Sequence, residues 1–399
     1  MQLEYIGAFQ IVLRVLGHFW PVWLALALVL GVSLRFRKRL GLYGDLFSTG
    51  VGIAGVFICL FWLFTAIFST IIAPFDPLSQ VAVMKDALPG AVVPDGSGVY
   101  LFGGDKLARD VFSRMVYGSR IVMIIAPFAT LFALMVGITL GLPAGYYGGR
   151  IDSFLSFLAN LVLAFPVILL FYLLVTPEIR ELSFDSWFSQ LTGIGVSIPR
   201  TLAAVFFIFP VVFFFALFYT RFKKRPERLY LLLGLTLLIG GWVYLGLVFD
   251  ADPLGVIRID PNELNIFVAV VFASSPGVFR IVRGLVMDIK TRDYVAAAQT
   301  RGETPWYIML WEVLPNARGP LIVDACLRIG YTTILLGTLG YFGLGLAPES
   351  PDWGTAIKDS SRLLRSFIHP ALPPVFALMS FVLGLNLLAD ALREQSLKD

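Results

Sequence analysis

Nine stretches of this chain are apolar over about 20 residues, the length a helix needs to cross a bilayer: 18–35, 48–73, 119–146, 152–175, 201–219, 229–249, 264–283, 319–345 and 369–391. No water is present in hydrocarbon to satisfy backbone N–H and C=O groups, so such stretches fold as helices. The composition agrees. Of 399 residues, 58% are hydrophobic and 15% charged, whereas about a quarter of a soluble domain is charged. The fold class is therefore an all-α polytopic membrane protein embedded in a lipid bilayer. Two stretches are weaker: 264–283 is interrupted by Ser274-Ser275-Pro276-Gly277, and 201–219 is short and holds Pro210.

Several classes are excluded. A net charge of +4, scattered along the chain, is too small for a nucleic-acid surface, so no nucleic-acid partner is expected. Cys59 and Cys326 both sit in apolar runs, and His18 and His369 complete the histidines, so neither a disulfide framework nor a metal site is expected. The N-terminus lacks a basic start and a small-residue cleavage site and does not read as a cleaved signal peptide. There is no GxxxxGK[ST], HExxH or GxSxG, so no catalytic residue is assigned.

Lysine and arginine set the orientation. Arg35 to Arg39, Arg150, Arg221 to Arg228, Arg280 to Arg318 and the tail residues Arg393 and Lys398 fall on one side of a nine-span chain. The opposite loops carry Asp250, Asp252, Asp260 and Glu263. The positive side is expected to be the cytoplasm, with the N-terminus periplasmic and the C-terminus cytoplasmic.

One polar stretch between spans is too structured to be a simple connection: Asp293 to Asn316, DYVAAAQTRGETPWYIMLWEVLPN. Ala296, Ala297 and Ala298 favour a helix. Gly302 breaks it, and Glu303-Thr304-Pro305 starts a second with Pro305 near its first position. Trp306, Tyr307, Leu310 and Val313 give that helix an apolar stripe, and Leu314-Pro315 is expected to stop it. The product is two short helices hinged at a glycine, shaped to dock with something in the aqueous phase.

Two alanines, three residues, a glycine and then about ten residues to Leu-Pro resemble the "EAA" coupling loop of ABC importer permeases. The glutamate of that loop falls at Ala296, which leaves Asp293 or Glu303 to supply its charge. Further segments resemble the C-type permease subunit of dipeptide/oligopeptide/nickel importers. Ala73-Pro74-Phe75-Asp76-Pro77 follows the second span. Gly103-Gly104-Asp105-Lys106-Leu107-Ala108-Arg109-Asp110-Val111-Phe112-Ser113-Arg114 is similar to the family's Gly-Thr-Asp-x-Leu-Gly-Arg-Asp-x-x-Ser-Arg, differing at Gly104 and Ala108. Gly340 to Gly354 is similar to its outer loop.

The segment before the third span also reads as a short amphipathic helix. Asp105 caps it, Leu107, Val111 and Met115 form its apolar face, and Asp110 and Arg114 form a surface pair. The resemblance offers Asp105, Arg109, Asp110 and Arg114 as a contact for a binding protein; positioning of the third span is the plainer role. Gly137, Gly141 and Gly145 repeat every four residues, the pattern of close helix packing, before a tight turn at Gly148-Gly149-Arg150. Asp324 and Arg328 share one face of a span, either as an internal ion pair or as a lining of the solute path.

The resemblance implies a type I ABC importer permease core of six spans, here with about three additional transmembrane helices. Residues 1–47 hold an extra span and a basic loop. Residues 48–175 form the first half of the core, with an outer loop over 74–118. Residues 176–262 are an inserted hairpin, and 263–399 form the second half of the core, with the coupling loop within 284–318. Its Asp293, Ala297, Ala298, Gly302, Glu303, Trp306, Tyr307, Leu310, Leu314 and Pro315 would meet the ATPase. The implied partners are a sister permease, two cytoplasmic ATPase subunits that carry ATP and Mg, and a periplasmic substrate-binding protein. The chain itself would bind no cofactor. The implied cargo is short peptides, with nickel complexes, opines and oligosaccharides also carried by relatives of this type. An ion-gradient carrier would need repeated broken helices and buried ion ligands, and an envelope scaffold would not need the elbow.

Overall fold

A computed structural model of the chain describes residues 3–175, 198–249, 252, 261–344, 349–361, 364 and 367–396. Helices α1 Ala8–His18, α2 Trp20–Phe36 and α3 Gly50–Ile67 come first. A two-stranded antiparallel ribbon, β1 Ala91–Val92 and β2 Val99–Tyr100, follows. Then come α4 Val111–Tyr147, α5 Gly149–Ala164, α6 Val167–Val175, α7 Ile198–Phe222, α8 Pro226–Phe249 and α9 Pro261–Ile289. The elbow begins with α10 Asp293–Thr300, and the chain ends with α11 Arg318–Phe342, α12 Trp353–Ser361 and α13 Leu372–Ser396.

Among the described residues, eight helices are long and apolar enough to cross a membrane. They fall on eight of the nine predicted stretches. The other, 152–175, is two helices, α5 and α6, broken at Phe165-Pro166. The residue before a proline is pushed out of the helical region, and Phe165 is extended at φ −74°, ψ 133°. Pro276 has the opposite outcome: α9 runs unbroken through Ser274 to Gly277, and α7 runs through Pro210. Of the predicted inserted segment, residues 176–197, 250–251 and 253–260, with the expected outer acids Asp250 and Asp260, lie outside the described residues, as do 345–348 of the Gly340–Gly354 motif.

The chain divides into two compact units, residues 1–127 with 326–399, and residues 128–325. In the first, α3 and α13 approach closely at glycines. A Cβ on Gly55 would lie 2.7 Å from the Leu388 nitrogen, and one on Gly384 would lie 2.7 Å from Ile58 Cγ2. Trp62 Nε1 donates to the Ser380 hydroxyl at 3.0 Å. The Trp62 ring stands edge-on to Trp353, whose Nε1 donates to the Met115 carbonyl at 2.9 Å. Phe112, Val116, Phe381 and Leu385 complete this core.

In the second unit α4 lies along α9. A Cβ on Gly137 would fall 2.5 Å from Val278 Cβ, one on Gly141 2.8 Å from Val282 Cβ, and one on Gly145 2.7 Å from Val286 Cβ. Glycines every four residues thus face valines every four residues, so the helix backbones touch. After the Gly148-Gly149 turn, Asp152 on α5 pairs with Arg283 of α9, and Arg280 donates to Asn160 Oδ1 at 2.6 Å. Overpacking such a contact costs about 1–3 kcal/mol. Gly141→Leu is expected to lower the thermal stability of the detergent-purified chain. Gly284→Ala, on α9 with no atom within 4 Å of its added Cβ, is expected to change it little. Equal melting temperatures for both variants would show that α4 and α9 do not pack this way.

Candidate functional site

The elbow joins α9 to α11. Val295 and Ala298 of α10 are buried, while Asp293, Tyr294, Ala296, Ala297 and Thr300 face outward. The helix ends in a Schellman turn: the Gly302 amide donates to the Gln299 carbonyl at 2.9 Å and the Glu303 amide to the Ala298 carbonyl at 3.2 Å. Gly302 has φ +75° with open space around it, so backbone conformation and not room selects glycine. Thr304 then caps the second arm, its hydroxyl accepting from the Tyr307 amide, with Pro305 at the first position.

The second arm departs from the sequence reading in two ways. Its buried anchors are Ile308, Met309, Leu310 and Val313; Trp306 is exposed and Tyr307 half-buried. The arm also does not stop at Leu314-Pro315. It opens into a π-turn over Ile308–Val313 and continues as a single helical turn, Leu314–Asn316. Pro315 has no N–H with which to close an α-turn, and a wider turn avoids the resulting clash. The Asn316 side-chain amide donates instead to the Glu312 carbonyl at 2.6 Å. The four anchors pack against Val278, Val282, Val286 and Ile289 of α9 and against Val295 and Ala298 of α10. The elbow is therefore fixed to the end of α9. Arg301 pairs with Glu312 across it at 2.9 Å, and Gln299 donates to the Tyr146 hydroxyl at 3.2 Å.

One support was not legible in the sequence. The end of α7 reaches the second arm: Trp311 Nε1 donates to the Thr220 hydroxyl at 3.0 Å, and the Arg221 guanidinium lies 4.7 Å from the centre of the Trp311 ring. An arginine over an indole is a favourable pairing. The only hint was a basic residue at the end of one span and a tryptophan in the elbow.

The second group of predicted residues is not a surface. Asp105, Arg109, Asp110 and Arg114 are 4%, 1%, 0% and 2% exposed. No helix forms before Val111. Residues 103–110 are a loop, and Leu107 is exposed and belongs to no apolar face. Asp105 accepts from the amides of Leu107 and Arg109 and pairs with the Arg109 guanidinium at 2.7 Å. Arg109 and Lys106 both pair with Asp359 of α12, at 2.8 and 2.9 Å. Arg114 donates to the Ser350 carbonyl at 3.0 Å and lies 3.9 Å from Asp105. Asp110 is not a surface partner of Arg114 but caps α4, accepting from the amide and hydroxyl of Ser113 at 2.9 and 2.6 Å. These charges fasten the loop to α12, a partner about 250 residues away that local sequence patterns could not supply.

Burial would raise the Asp359 carboxyl, but Lys106 and Arg109 outweigh it and hold it below the ordinary value. Burial raises Asp352, against the Thr355 hydroxyl and amide and the charge of Arg114. Burial also pushes Asp110 up to about 6, opposed by Ser113. Ala108 has φ +60°, a left-handed conformation costly for any residue with a Cβ. Asp324 and Arg328 are both half-buried, four residues apart on α11, and neither lacks an interaction partner.

Residues 200–396 match the family described as "Binding-protein-dependent transport system inner membrane component". The match begins inside α7, so its edge does not coincide with the predicted 176–262 segment. The chain is 27% identical over 324 residues to the dipeptide transport system permease protein DppC of Alkalihalophilus pseudofirmus, covering 81% of this chain and 80% of that protein. It is 26% identical over 366 residues to the di/tripeptide transport system permease protein DppC of Pseudomonas aeruginosa, covering 91% and 93%. It is 26% identical over 298 residues to the glutathione transport system permease protein GsiD of Pectobacterium atrosepticum, covering 75% and 72%.

Two outcomes are expected of the loop. Ala108→Gly relieves the left-handed strain, about 1–2 kcal/mol less the backbone entropy of glycine, and is expected to raise the melting temperature. A fall would show that position 108 does not need a left-handed residue. The carboxyl of Asp110 is raised on folding, so the folded chain holds that proton more tightly than the unfolded one. Its contribution is greatest at low pH and is lost as pH climbs from the unfolded value, about 4, through about 6. Asp110→Asn keeps an acceptor for Ser113 without the charge. Its melting temperature relative to the unchanged chain is expected to rise between about pH 4.5 and 7 and stay level above; an unchanging difference would refute this.

Proposed function

We propose that this chain, a binding-protein-dependent transport system inner membrane component of the C-type, is the permease subunit of an ATP-driven ABC importer of short peptides. As a permease subunit it is not itself catalytic. The observation that carries the reading is the elbow: a helix with an outward polar face, a glycine turn, and a second arm buried against α9. A connection that only joined two spans would need a few residues and no such anchoring.

In this reading two cytoplasmic ATPase subunits seat the elbow, and a sister permease completes the pore. A binding protein delivers the peptide on the periplasmic side of a bacterial inner membrane. ATP, with Mg, is bound and hydrolysed on the partner subunits. Closure of the ATPases pushes on α10, and the buried arm passes the displacement to α9 as one body. The spans then exchange between outward-open and inward-open states, a two-state equilibrium biased by nucleotide. With alanine at 296, the acidic contact falls to Asp293, one turn away on α10 and exposed, in preference to the half-buried Glu303. The outer contact with the binding protein would involve the exposed Leu107 and its surroundings, not the four buried charges. Asp324 and Arg328 would line the solute path if exchanging them restores assembly but not uptake.

Gly302→Pro forces φ to about −65° where +75° is needed and breaks the turn. Uptake of a labelled dipeptide in cells is expected to fall by about tenfold or more, with the variant still present in the membrane. Two ATPase subunits and a sister permease are expected to co-purify with the tagged parent chain in mild detergent. Unchanged uptake with Gly302→Pro, or a chain that purifies alone, would overturn the reading.

A further inference from the structure

Helices α7 and α8 form a hairpin within the 128–325 unit, and only 11% of the most apolar stretch of each is buried, against 61% for α9. Between them runs a half-open cleft of about 390 Å³, lined by Phe207, Val211, Phe214, Phe218, Leu235 and Tyr244 among others. That volume is within the about 300–1,000 Å³ of ligand-sized pockets. The cleft has few polar groups, and their hydrogen bonds are made internally. The Thr236 hydroxyl donates to the Leu232 carbonyl at 2.8 Å, and the Tyr244 hydroxyl to the Ala204 carbonyl at 3.1 Å. Nothing in it calls for a polar ligand. From Phe207 to Phe218 the cleft extends about 17 Å at about 1.5 Å per residue, about one leaflet of an about 30 Å hydrocarbon core.

One end of the cleft, at Phe218 and Leu232, opens beside the turn joining the two helices. That turn carries Lys223, Lys224, Arg225 and Arg228, all exposed, with Glu227 the one acid. Among the described residues no carboxylate pairs with Lys224, Arg225 or Arg228. A leaflet-length apolar cleft that ends in uncompensated positive charge has the complementarity of a lipid with one acyl chain inward and an anionic head at the turn.

We propose that the α7–α8 hairpin binds one anionic phospholipid of the surrounding membrane, its acyl chain in the cleft and its phosphate on Lys224, Arg225 and Arg228. The site adjoins the elbow: Arg221, next to the basic turn, stacks on Trp311. A lipid held there steadies the end of α7 against the elbow. A sister permease helix would also fill an apolar cleft, but it would leave the basic turn without a counter-charge.

The test is lipid retention, which needs no transport and so stands apart from the importer reading. The full chain, purified in mild detergent, is offered phosphatidylglycerol and phosphatidylcholine of the same acyl composition and followed by native mass spectrometry. One phosphatidylglycerol per chain is expected, preferred by about 100-fold if three basic residues engage it. Lys224→Gln/Arg225→Gln/Arg228→Gln, changing only exposed side chains, is expected to abolish the preference. Val243→Trp, which fills the cleft without touching the charge, is expected to lower retention of both lipids about tenfold at an unchanged melting temperature. Equal retention of the two lipids by the parent chain, or retention unaffected by either variant, would overturn the proposal. Cross-linking of a cysteine at position 243 to a sister permease and not to lipid would do the same.

Discussion

The burial of one apolar arm against the end of α9 gives the elbow its mechanical meaning. Ile308, Met309, Leu310 and Val313 are each almost wholly removed from solvent, and they meet a row of valines on α9. Each buried side chain of this size contributes about 1.5–3 kcal/mol against the cost of ordering the arm. The opposite surface of the elbow, on α10, keeps mainly small and polar residues outward. The joint between the two arms is closed: the Schellman turn at Gly302 is held by two backbone hydrogen bonds, and Arg301 bridges to Glu312. The valines grouped with the arm, Val278, Val282 and Val286, are the same ones that face Gly137, Gly141 and Gly145 of α4. Displacement at the elbow thus acts on a helix already in backbone contact with its neighbour, and packed helices move as bodies.

The unit that holds the chain's two ends solves a different problem, that of fastening a long loop whose own core is small: Met84, Ala87, Ala91, Val93 and Tyr100. The loop before α4 and the first turn of α4 bury four charged side chains, which on their own would be prohibitive. They are tolerable because each finds opposite charge or a backbone group: Asp105 with two amides and Arg109, Arg109 with Asp359, Arg114 with the Ser350 carbonyl. Such a network is a poor source of net stability but a demanding one, since removing one partner leaves another charge buried. It specifies where α12 sits against the loop. The Trp353 indole, hydrogen-bonded to Met115 and edge-on to Trp62, makes the apolar half of the same junction.

What could be read from the residues divides along the same line. Spans were legible because apolarity over about 20 residues is a local property, and eight of the nine stretches are long single helices. Gly302, Pro305 and the glycine ladder of α4 were legible because each answers a local backbone or packing rule. Three things were not. Pro166 breaks its stretch whereas Pro276 and Pro210 do not break theirs, and that choice depends on what packs beside each proline. Of the second arm's expected stripe, Leu310 and Val313 are anchors, but Ile308 and Met309 take the places of Trp306 and Tyr307, because a π-turn ahead of Pro315 shifts the periodicity from which a stripe is counted. The charges 105–114 looked like a surface helix because their partners, Ser350 and Asp359, lie far along the chain. Periodicity cannot report a contact between distant segments.

The hairpin α7–α8 meets the rest of its unit at the elbow as well as along its length. Two crossings taken together return the chain to the side it left. Topology alone, however, would let the hairpin drift in the lipid. One point that holds it is Trp311, whose indole N–H donates to the Thr220 hydroxyl and whose ring carries the Arg221 cation on its face. A guanidinium is weakly hydrated and stacks well, so this pairing suits a helix end at a membrane boundary better than an ordinary exposed ion pair, which gains little in water. The contact falls on the second arm of the elbow and not on the bare lipid face of another helix. The hairpin is therefore mechanically in parallel with α9: any motion of the arm must either carry the end of α7 with it or break the stack.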